Sequence, residues 1–158
     1  MKMICFDMDG TIADFYSVDG WLDYLRDENP YPYLIARPMW DMEKLREVLL
    51  KLAEQGWEIR VISWLAKDSS EEYKNLVRQA KLAWLSHHNF PVHKVHLVSY
   101  GTTKADCVRR YYDEQPMILV DDNRKVREGW HLGDTINPAE IEDLPKELEK
   151  LLDNANKE

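Results

Sequence analysis

Short apolar runs along the chain alternate with longer segments in which apolar residues recur at helical spacing. The runs are nearly continuously apolar, which is typical of strands that are covered on both faces. MKMICF, WEIRVIS, KVHLVS and MILV predict four strands, near residues 2–7, 57–63, 94–99 and 117–120. Since strands and helices alternate, we predict an α/β fold of three layers, with a mainly parallel sheet between helices.

The longest predicted helices lie on either side of the second apolar run. Residues 42–55 have apolar residues at helical spacing, and Gly56 is placed to end that helix. Ser69 and Glu72 predict a capping box at the start of a helix that extends to about His87. The predicted buried face of this second helix consists of Tyr73, Leu76, Val77, Ala80, Ala83 and Trp84.

Shorter elements are predicted in the C-terminal part of the chain. A short helix begins near Thr103, and HLGDTI, residues 131–136, predicts a fifth strand at the edge of the sheet. A final helix follows Asp143, with Pro145 in its first turn. The apolar stripe of this helix favours packing on the sheet over a dimer interface. The stripe consists of Ile141, Leu144, Leu148, Leu151 and Leu152.

Residues 16–40 interrupt the alternation and are rich in aromatic residues and prolines. They predict a short helix near residues 17–27, followed by an irregular loop. A connection of this length is usually functional or disordered, and its aromatic content disfavours disorder. We therefore interpret residues 15–40 as a small lid insert within a single domain that spans residues 1–158. Its aromatic rings either stack on a nucleobase or pack the lid on the sheet edge, and the candidates for substrate contact are Phe15, Trp21 and Tyr24.

Composition restricts the kind of partner. The chain has 158 residues with 21 basic and 29 acidic side chains, a formal net charge of −8, which disfavours a nucleic acid polymer as ligand. Cys5 and Cys107 match no metal or redox motif, and no apolar run has the length of a signal-peptide core or a membrane span. We therefore expect a cytoplasmic protein with a small-molecule partner, as either a monomer or a homodimer.

Polar side chains cluster where the predicted strands end. Ligands of parallel α/β sheets bind at the carboxyl ends of the strands. The residues at these ends are Asp7, Asp9, Ser63, Lys104, Asp121 and Asp122. Carboxylates that converge from two strands repel one another unless a cation neutralises them or some are protonated. A hard divalent ion such as Mg²⁺ suits such a set, and a lysine and a hydroxyl can hold a phosphoryl group beside it.

These residues also match the motifs of a known family. DMDGT resembles the D-x-D-G-[TV] motif of the haloacid dehalogenase (HAD) superfamily of phosphohydrolases. VIS followed by Trp64 fits the second motif, Lys104 the third and VDD the fourth, so the resemblance runs from Met3 to about Arg127. It implies a Rossmann-like fold in which Ser63, Trp64 and Lys104 bind the phosphoryl group.

The resemblance also implies roles for the aspartates. Asp7 would be the nucleophile that forms an aspartyl-phosphate, and Asp9 would protonate the leaving oxygen and then activate water. Mg²⁺ would be bound by Asp7, the backbone carbonyl of Asp9 and Asp122, with Asp121 bound to the ion or next to it. The residue chemistry agrees with these roles, since a carboxylate nucleophile divides one hard substitution into two easier ones.

Within the superfamily, DMDGTIADF is most similar to D-M-D-G-V-L-A-D-F of the 5′(3′)-deoxyribonucleotidase group. The chain departs from that group at Thr11, at Ser63 and Trp64, and in its shorter insert. The sequence thus predicts a Mg²⁺-dependent phosphatase, with nucleoside or deoxynucleoside monophosphates as the best substrates. Two alternatives stay open: a phosphatase of sugar phosphates or another metabolite, and a non-catalytic protein that binds a phosphorylated ligand.

Overall fold

A five-stranded parallel sheet forms the centre of the computed structural model, which describes residues 1–153. Its strands are β1 (Met3–Phe6), β4 (Glu58–Trp64), β5 (Lys94–Val98), β6 (Met117–Val120) and β7 (Thr135–Ile136), in the order β5-β4-β1-β6-β7. A separate antiparallel pair consists of β2 (Ala13–Asp14) and β3 (Arg37–Pro38). The predicted α/β architecture is confirmed, and a fifth strand does lie at the sheet edge, although it includes only the last two residues of the predicted range 131–136.

Seven α-helices are found among residues 1–153, most of them short. Asp41 and Asp143 cap α3 and α7 by accepting hydrogen bonds from backbone N–H groups in the first turn. Within this part of the chain, no helix has the length and apolarity that a membrane crossing requires. The helices are α1 (Trp21–Arg26), α2 (Tyr31–Ile35), α3 (Met42–Glu54), α4 (Glu71–His87), α5 (Lys104–Val108), α6 (Arg124–Glu128) and α7 (Leu144–Glu149).

Both faces of the sheet are covered. Successive side chains of a strand point to opposite faces, so Ile4 of β1 belongs to the core beneath α3, α4 and α7, while Cys5 belongs to the core beneath α5. Leu144 and Leu148 of α7 are fully buried in the first of these cores, as the predicted packing of that helix requires. The carboxyl ends of the strands, which carry the candidate chemistry, therefore lie at one end of a packed three-layer body.

The start of α4 differs from the prediction by one residue. Ser70, not Ser69, is the N-cap, and its hydroxyl accepts a hydrogen bond from the backbone N–H of Tyr73. Ser69 instead donates its hydroxyl to the carbonyl of Ala66 in the preceding loop. Two adjacent serines offer the same capping chemistry, and the loop geometry decides between them.

The buried face of α4 is also rotated from the predicted one. Leu76 and Ala83 are exposed, whereas Lys81 and Leu85 are buried. The cause is that α4 packs against α2 of the lid insert as well as against the sheet, so its inward face includes the position of Lys81.

The lid insert is more ordered than the sequence predicts. The expected helix over residues 17–27 is divided into a 3-10 helix at Phe15–Ser17 and α1, and the expected irregular loop contains α2. Pro32 lies in the first turn of α2. A proline is tolerated there because backbone N–H groups of the first turn have no acceptor within the helix. The pair of β2 and β3 closes the base of the insert.

Side chains of α4 and the residue before it fasten the insert to the main body. The hydroxyl of Ser70 donates to Glu28 Oε1 at 2.7 Å. Further along the helix, Trp84 Nε1 donates to the carbonyl of Ala36 at 2.7 Å. Trp84 is only 1% exposed. The insert is therefore anchored at two separate points to one long helix.

We expect Trp84→Ala to destabilise the protein by about 3–5 kcal/mol, because it removes a buried aromatic side chain and leaves the Ala36 carbonyl without its donor. Chemical denaturation followed by circular dichroism measures this loss. Leu82→Ala on the same helix is the control, since Leu82 is 48% exposed and its truncation should cost about 0.5 kcal/mol or less. Equal midpoints for the two variants would contradict the anchoring role.

Candidate active site

The carboxyl end of the parallel sheet brings together residues from four separate parts of the chain. β1 lies between β4 and β6, so the residues that follow these strands are neighbours in space. Asp7 and Asp9 follow β1, Ser63 lies near the end of β4, and Lys104 begins α5. Together with Asp121 and Asp122 after β6, all of them line one cavity, as the sequence predicts for the sheet edge.

Three carboxylates form a compact acidic cluster at this edge. Asp7, Asp121 and Asp122 each offer an oxygen atom, and these atoms lie within 4.8 Å of one another. Burial and the neighbouring charge of Asp7 raise the pKa of Asp121 to about 6 and that of Asp122 to about 7. Burial and mutual repulsion thus make it costly for all three carboxylates to be ionised together unless a cation is added.

The donor set fits a divalent cation. With all groups ionised, the four carboxylates and two lysine ammonium groups of the site leave an excess of two negative charges. Carboxylate oxygens are the ligands that hard ions such as Mg²⁺ prefer, and a site that uses few protein ligands leaves positions for a phosphate. Asp7 and Asp122 keep partial exposure beside the cavity, so an ion bound there would be accessible to a ligand.

Lys104 is the cation that is already present in this cluster. Its ammonium donates to Asp7 Oδ1 at 2.9 Å and to Asp121 Oδ2 at 2.7 Å. Burial alone would lower the pKa of Lys104, but the two carboxylates outweigh it and raise that pKa above its usual value. The lysine therefore stays charged and faces the cavity beside Asp7.

Asp9 points away from the acidic cluster, toward a second lysine. Its Oδ2 accepts a hydrogen bond from Lys81 Nζ at 3.1 Å. Burial raises the pKa of Asp9 above its ordinary value, although Lys81 acts in the opposite direction. The side chain of Asp9 is thus separate from the group of Asp7, Asp121 and Asp122, and a metal contact of this residue would use its backbone carbonyl.

Sequence reasoning missed Lys81. The side chain is 1% exposed, and its ammonium also donates to Ser63 Oγ at 2.6 Å and to the carbonyl of Trp64 at 2.8 Å. A signal was available, because Lys81 lies among the apolar positions of α4 next to Ala80. A buried lysine on an otherwise apolar helix face requires a partner, and here the partner belongs to the site.

A tight loop after β1 fixes the relative positions of the acidic residues. Gly10 has φ +81°, and a Cβ atom built there would overlap Asp122 Oδ2 and lie 3.0 Å from Asp122 Cγ. The buried hydroxyl of Thr11 accepts from the backbone N–H of Asp122 at 3.2 Å and lies 3.3 Å from Asp7 Oδ2. Trp40 Nε1 donates to the Thr11 carbonyl at 2.7 Å, which ties the end of the insert to the same loop. The loops after β1 and β6 are thereby joined.

The cavity above these groups has a volume of about 390 Å³ and a largely aromatic wall. Phe15 and Trp21 of the lid insert are part of this wall. Tyr24 is not: it lines a separate surface groove, and its ring lies 5.4 Å from that of Tyr31. The aromatic wall also includes Tyr16, Tyr33 and Tyr100, which the sequence did not indicate as a group.

The ring of Trp64 forms part of the cavity wall. Its Nε1 donates to the carbonyl of Thr102 at 2.8 Å, so the indole N–H is already used inside the protein. The ring lies 4.9 Å from that of Tyr100, and Lys104 Nζ lies 5.5 Å from its centroid. Lys67 Nζ lies 5.6 Å from the centroid of the Tyr100 ring, and Lys67 is a further positive group at the cavity.

Comparison with known proteins places the fold. No protein-family model matches the chain, and no curated protein matches it either. The chain is similar to the crystal structure of D,D-heptose 1.7-bisphosphate phosphatase from B. bronchiseptica complexed with magnesium and phosphate, at 15% identity and a TM-score of 0.61. The likeness covers 96% of this chain and 98% of that one. At this identity it shows a shared fold, in agreement with the Rossmann-like α/β fold that the motifs imply, and it gives no support to the deoxyribonucleotidase group.

Proposed function

We propose that this protein is a Mg²⁺-dependent phosphatase of small phosphomonoesters that acts through an aspartyl-phosphate on Asp7. One observation carries the proposal: Asp7 lies at the floor of the cavity, where it contacts Lys104 and the acidic cluster, while Asp9 lies nearby with a separate partner. A nucleophile and an acid with different surroundings are what two-step phosphate transfer requires. A protein that only binds a phosphorylated ligand needs neither.

The metal would be held by the acidic cluster and the backbone carbonyl of Asp9. Asp7 and Asp122 would be ligands, with Asp121 bound to the ion or next to it, since the three oxygens lie within 4.8 Å of one another. When bound, Mg²⁺ supplies positive charge that stabilises the phosphoryl oxygens as negative charge develops on them.

In the first step, a carboxylate oxygen of Asp7 attacks phosphorus and the ester oxygen leaves, taking a proton from the Asp9 carboxyl. The raised pKa of Asp9 favours the protonated form that this step needs. In the second step, Asp9 takes a proton from water as the water oxygen attacks the phosphorus of the aspartyl-phosphate. Inorganic phosphate leaves, and Asp7 and Asp9 return to their starting forms.

Positioning of the transferred group falls to Lys104 and Ser63. Lys104 is pre-aligned by its bonds to Asp7 and Asp121, and it stays charged because these two carboxylates raise its pKa. Ser63 lines the same cavity with its hydroxyl beside Asp9 and Lys81. Phosphoryl transfer needs little from a protein beyond such positioning and charge stabilisation.

Nucleoside or deoxynucleoside monophosphates are the substrates we propose. The support is the cavity wall, where Trp21 is partly exposed beside Phe15, because an aromatic ring can stack on a nucleobase. A sugar phosphate or another small phosphorylated metabolite is the second candidate. It is favoured by the fold neighbour, which is a heptose bisphosphate phosphatase, and by the contacts of Trp21 with Phe15 and Tyr16, which also suit a structural role.

A substrate panel tests the proposal. Purified protein with Mg²⁺ would be incubated with ribonucleoside and deoxyribonucleoside monophosphates and with sugar phosphates, and released phosphate measured. We expect release that chelation of the metal abolishes, with the highest kcat/KM among nucleotides. If no ester releases phosphate in the presence of Mg²⁺, the proposed phosphatase activity is wrong. If sugar phosphates are preferred, the phosphatase activity is supported and the proposed nucleotide substrate is wrong.

Trp21→Ala is expected to raise KM for nucleoside monophosphates by roughly 5- to 150-fold, since stacking of a base is worth about 1–3 kcal/mol. KM for sugar phosphates should change little. Leu22→Ala is the matched control, because Leu22 is 40% exposed in the same helix and does not line the cavity. An equal rise in KM for both substrate classes would show that Trp21 is structural.

A further inference from the structure

We propose that Lys81 is a positioning residue for the reaction, which orients Asp9 as the proton donor and Ser63 as a hydrogen-bond donor to the phosphoryl group. The proposal rests on the proposed function and deepens it. It assigns to α4, a helix outside the four sequence motifs, a direct part in arranging the site.

The bonding of the Lys81 ammonium is complete. An ammonium has three N–H donors and no acceptor, and here the three acceptors are Asp9 Oδ2 at 3.1 Å, Ser63 Oγ at 2.6 Å and the Trp64 carbonyl at 2.8 Å. The side chain is 1% exposed, so water does not compete for these positions. A fully satisfied buried network fixes the geometry of its members.

This bonding sets the direction of the Ser63 hydroxyl. Because Lys81 can only donate, Ser63 Oγ must accept from it, and the Ser63 proton is left for another acceptor. No other hydrogen bond of Ser63 Oγ occurs among residues 1–153. Ser63 lines the cavity, so its remaining proton is available to an oxygen of a bound phosphoryl group.

The same contact selects one oxygen of Asp9. Lys81 binds Oδ2, while Oδ1 has no hydrogen-bond partner in the described part of the chain. The Asp9 side chain is 19% exposed and lines the cavity. The structure therefore assigns Oδ1 as the oxygen that carries the proton to and from the reacting groups.

The lid insert covers Lys81 and is anchored close to it on α4. Tyr33 of the lid insert covers the ammonium, with 5.1 Å between Nζ and the ring centroid. One turn further along α4, Trp84 bonds to Ala36 of the insert. Lys104 contacts Asp7 and Asp121 in the same manner, so one buried lysine arranges the nucleophile and the other arranges the proton donor.

The test compares two esters in Lys81→Met, which keeps an unbranched side chain only one atom shorter and removes the charge. An aryl ester such as p-nitrophenyl phosphate has a leaving group that needs no proton, whereas an alkyl phosphate does. General acid catalysis is worth about 10²–10⁴-fold, so we expect kcat for the alkyl ester to fall by about 10²-fold or more. The fold-loss in kcat for the aryl ester should be smaller by a factor of about ten or more. Ser63→Ala combined with Lys81→Met should lose less than the product of the single losses.

Lys74→Met is the control on the same helix, because Lys74 pairs only with Glu71 at the surface among the described residues. An equal loss on both esters in Lys81→Met would reduce Lys81 to a structural role, and a kcat like that of Lys74→Met would overturn the proposal altogether. If the wild-type protein hydrolyses neither ester, the proposed function fails and this inference fails with it.

A measurement on the wild-type protein avoids dependence on the folding of a variant. With ¹⁵N-labelled lysine, the Lys81 ammonium should give a slowly exchanging resonance that shifts when orthovanadate, a phosphate analogue, is added with Mg²⁺. A Lys81 resonance that exchanges rapidly, or that is unchanged by orthovanadate at saturation, would contradict the proposed network.

Discussion

Asp7→Asn is expected to lower phosphate release by on the order of 10⁴-fold or more, because the amide oxygen is a weak nucleophile and cannot form the aspartyl-phosphate. The substitution also removes the negative charge that Lys104 and the metal use. Phosphate release at saturating Mg²⁺ and substrate measures the effect. Asp14→Asn is the matched control: Asp14 lies in β2, lines the groove beside Tyr24 and is outside the cavity, so its activity should stay close to wild type.

The loss in Asp7→Asn should not come from unfolding. Asparagine has nearly the same shape as aspartate, and Lys104 keeps its bond to Asp121 at 2.7 Å. The change also relieves repulsion among three carboxylates within 4.8 Å of one another. Without metal, we therefore expect a thermal midpoint at least as high as that of the wild type. Activity retained in this variant would remove Asp7 as the nucleophile.

Gly10→Ala is expected to disable the metal site. The new Cβ would overlap Asp122 Oδ2 and would lie 3.2 Å from Tyr16 Cε2, in a backbone conformation with φ +81°. Left-handed backbone costs an ordinary residue about 1–2 kcal/mol, and the displaced carboxylate adds the loss of a metal ligand. We expect the Mg²⁺ concentration for half-maximal activity to rise at least about tenfold, and kcat to fall as well.

Gly20→Ala is the control for Gly10→Ala, because it introduces the same kind of backbone strain without the overlap with Asp122. Gly20 has φ +72°, but a Cβ there meets only Tyr24, at 3.8 Å, among the described residues. This control should therefore lose some stability and keep its Mg²⁺ dependence. If Gly10→Ala and Gly20→Ala have the same Mg²⁺ requirement, the contact between Gly10 and Asp122 does not shape the metal site.

The parts of the fold that the sequence predicted are those that local pattern determines. The apolar runs around Ile4 and Ile118 are too short for helices and too apolar for surface strands, so their place in a covered sheet followed directly. The acidic residues at the strand ends followed from the same reasoning, since the ends of parallel strands meet at one edge.

The parts that the sequence missed depend on packing between distant segments. A single lysine on a helix is normally a solvated residue, and the burial of Lys81 is explained by Asp9, Ser63 and the Trp64 carbonyl, which lie far from it in the sequence. The exposed positions of Leu76 and Ala83 have the same origin, because contact with α2 rotates the buried face of α4. The sequence grouped Tyr24 with Trp21 as lid residues, but the ring of Tyr24 lies beside that of Tyr31 and lines the surface groove instead.

Trapping of the phosphorylated intermediate tests the central claim most directly. The protein would be mixed with Mg²⁺ and a radiolabelled phosphomonoester, quenched in acid within a turnover, digested, and its peptides analysed by mass spectrometry. Our account predicts one phosphoryl group on the peptide that carries Asp7, labile to base and absent from Asp7→Asn. Phosphate release without any label on that peptide, or the same label in Asp7→Asn, would contradict it.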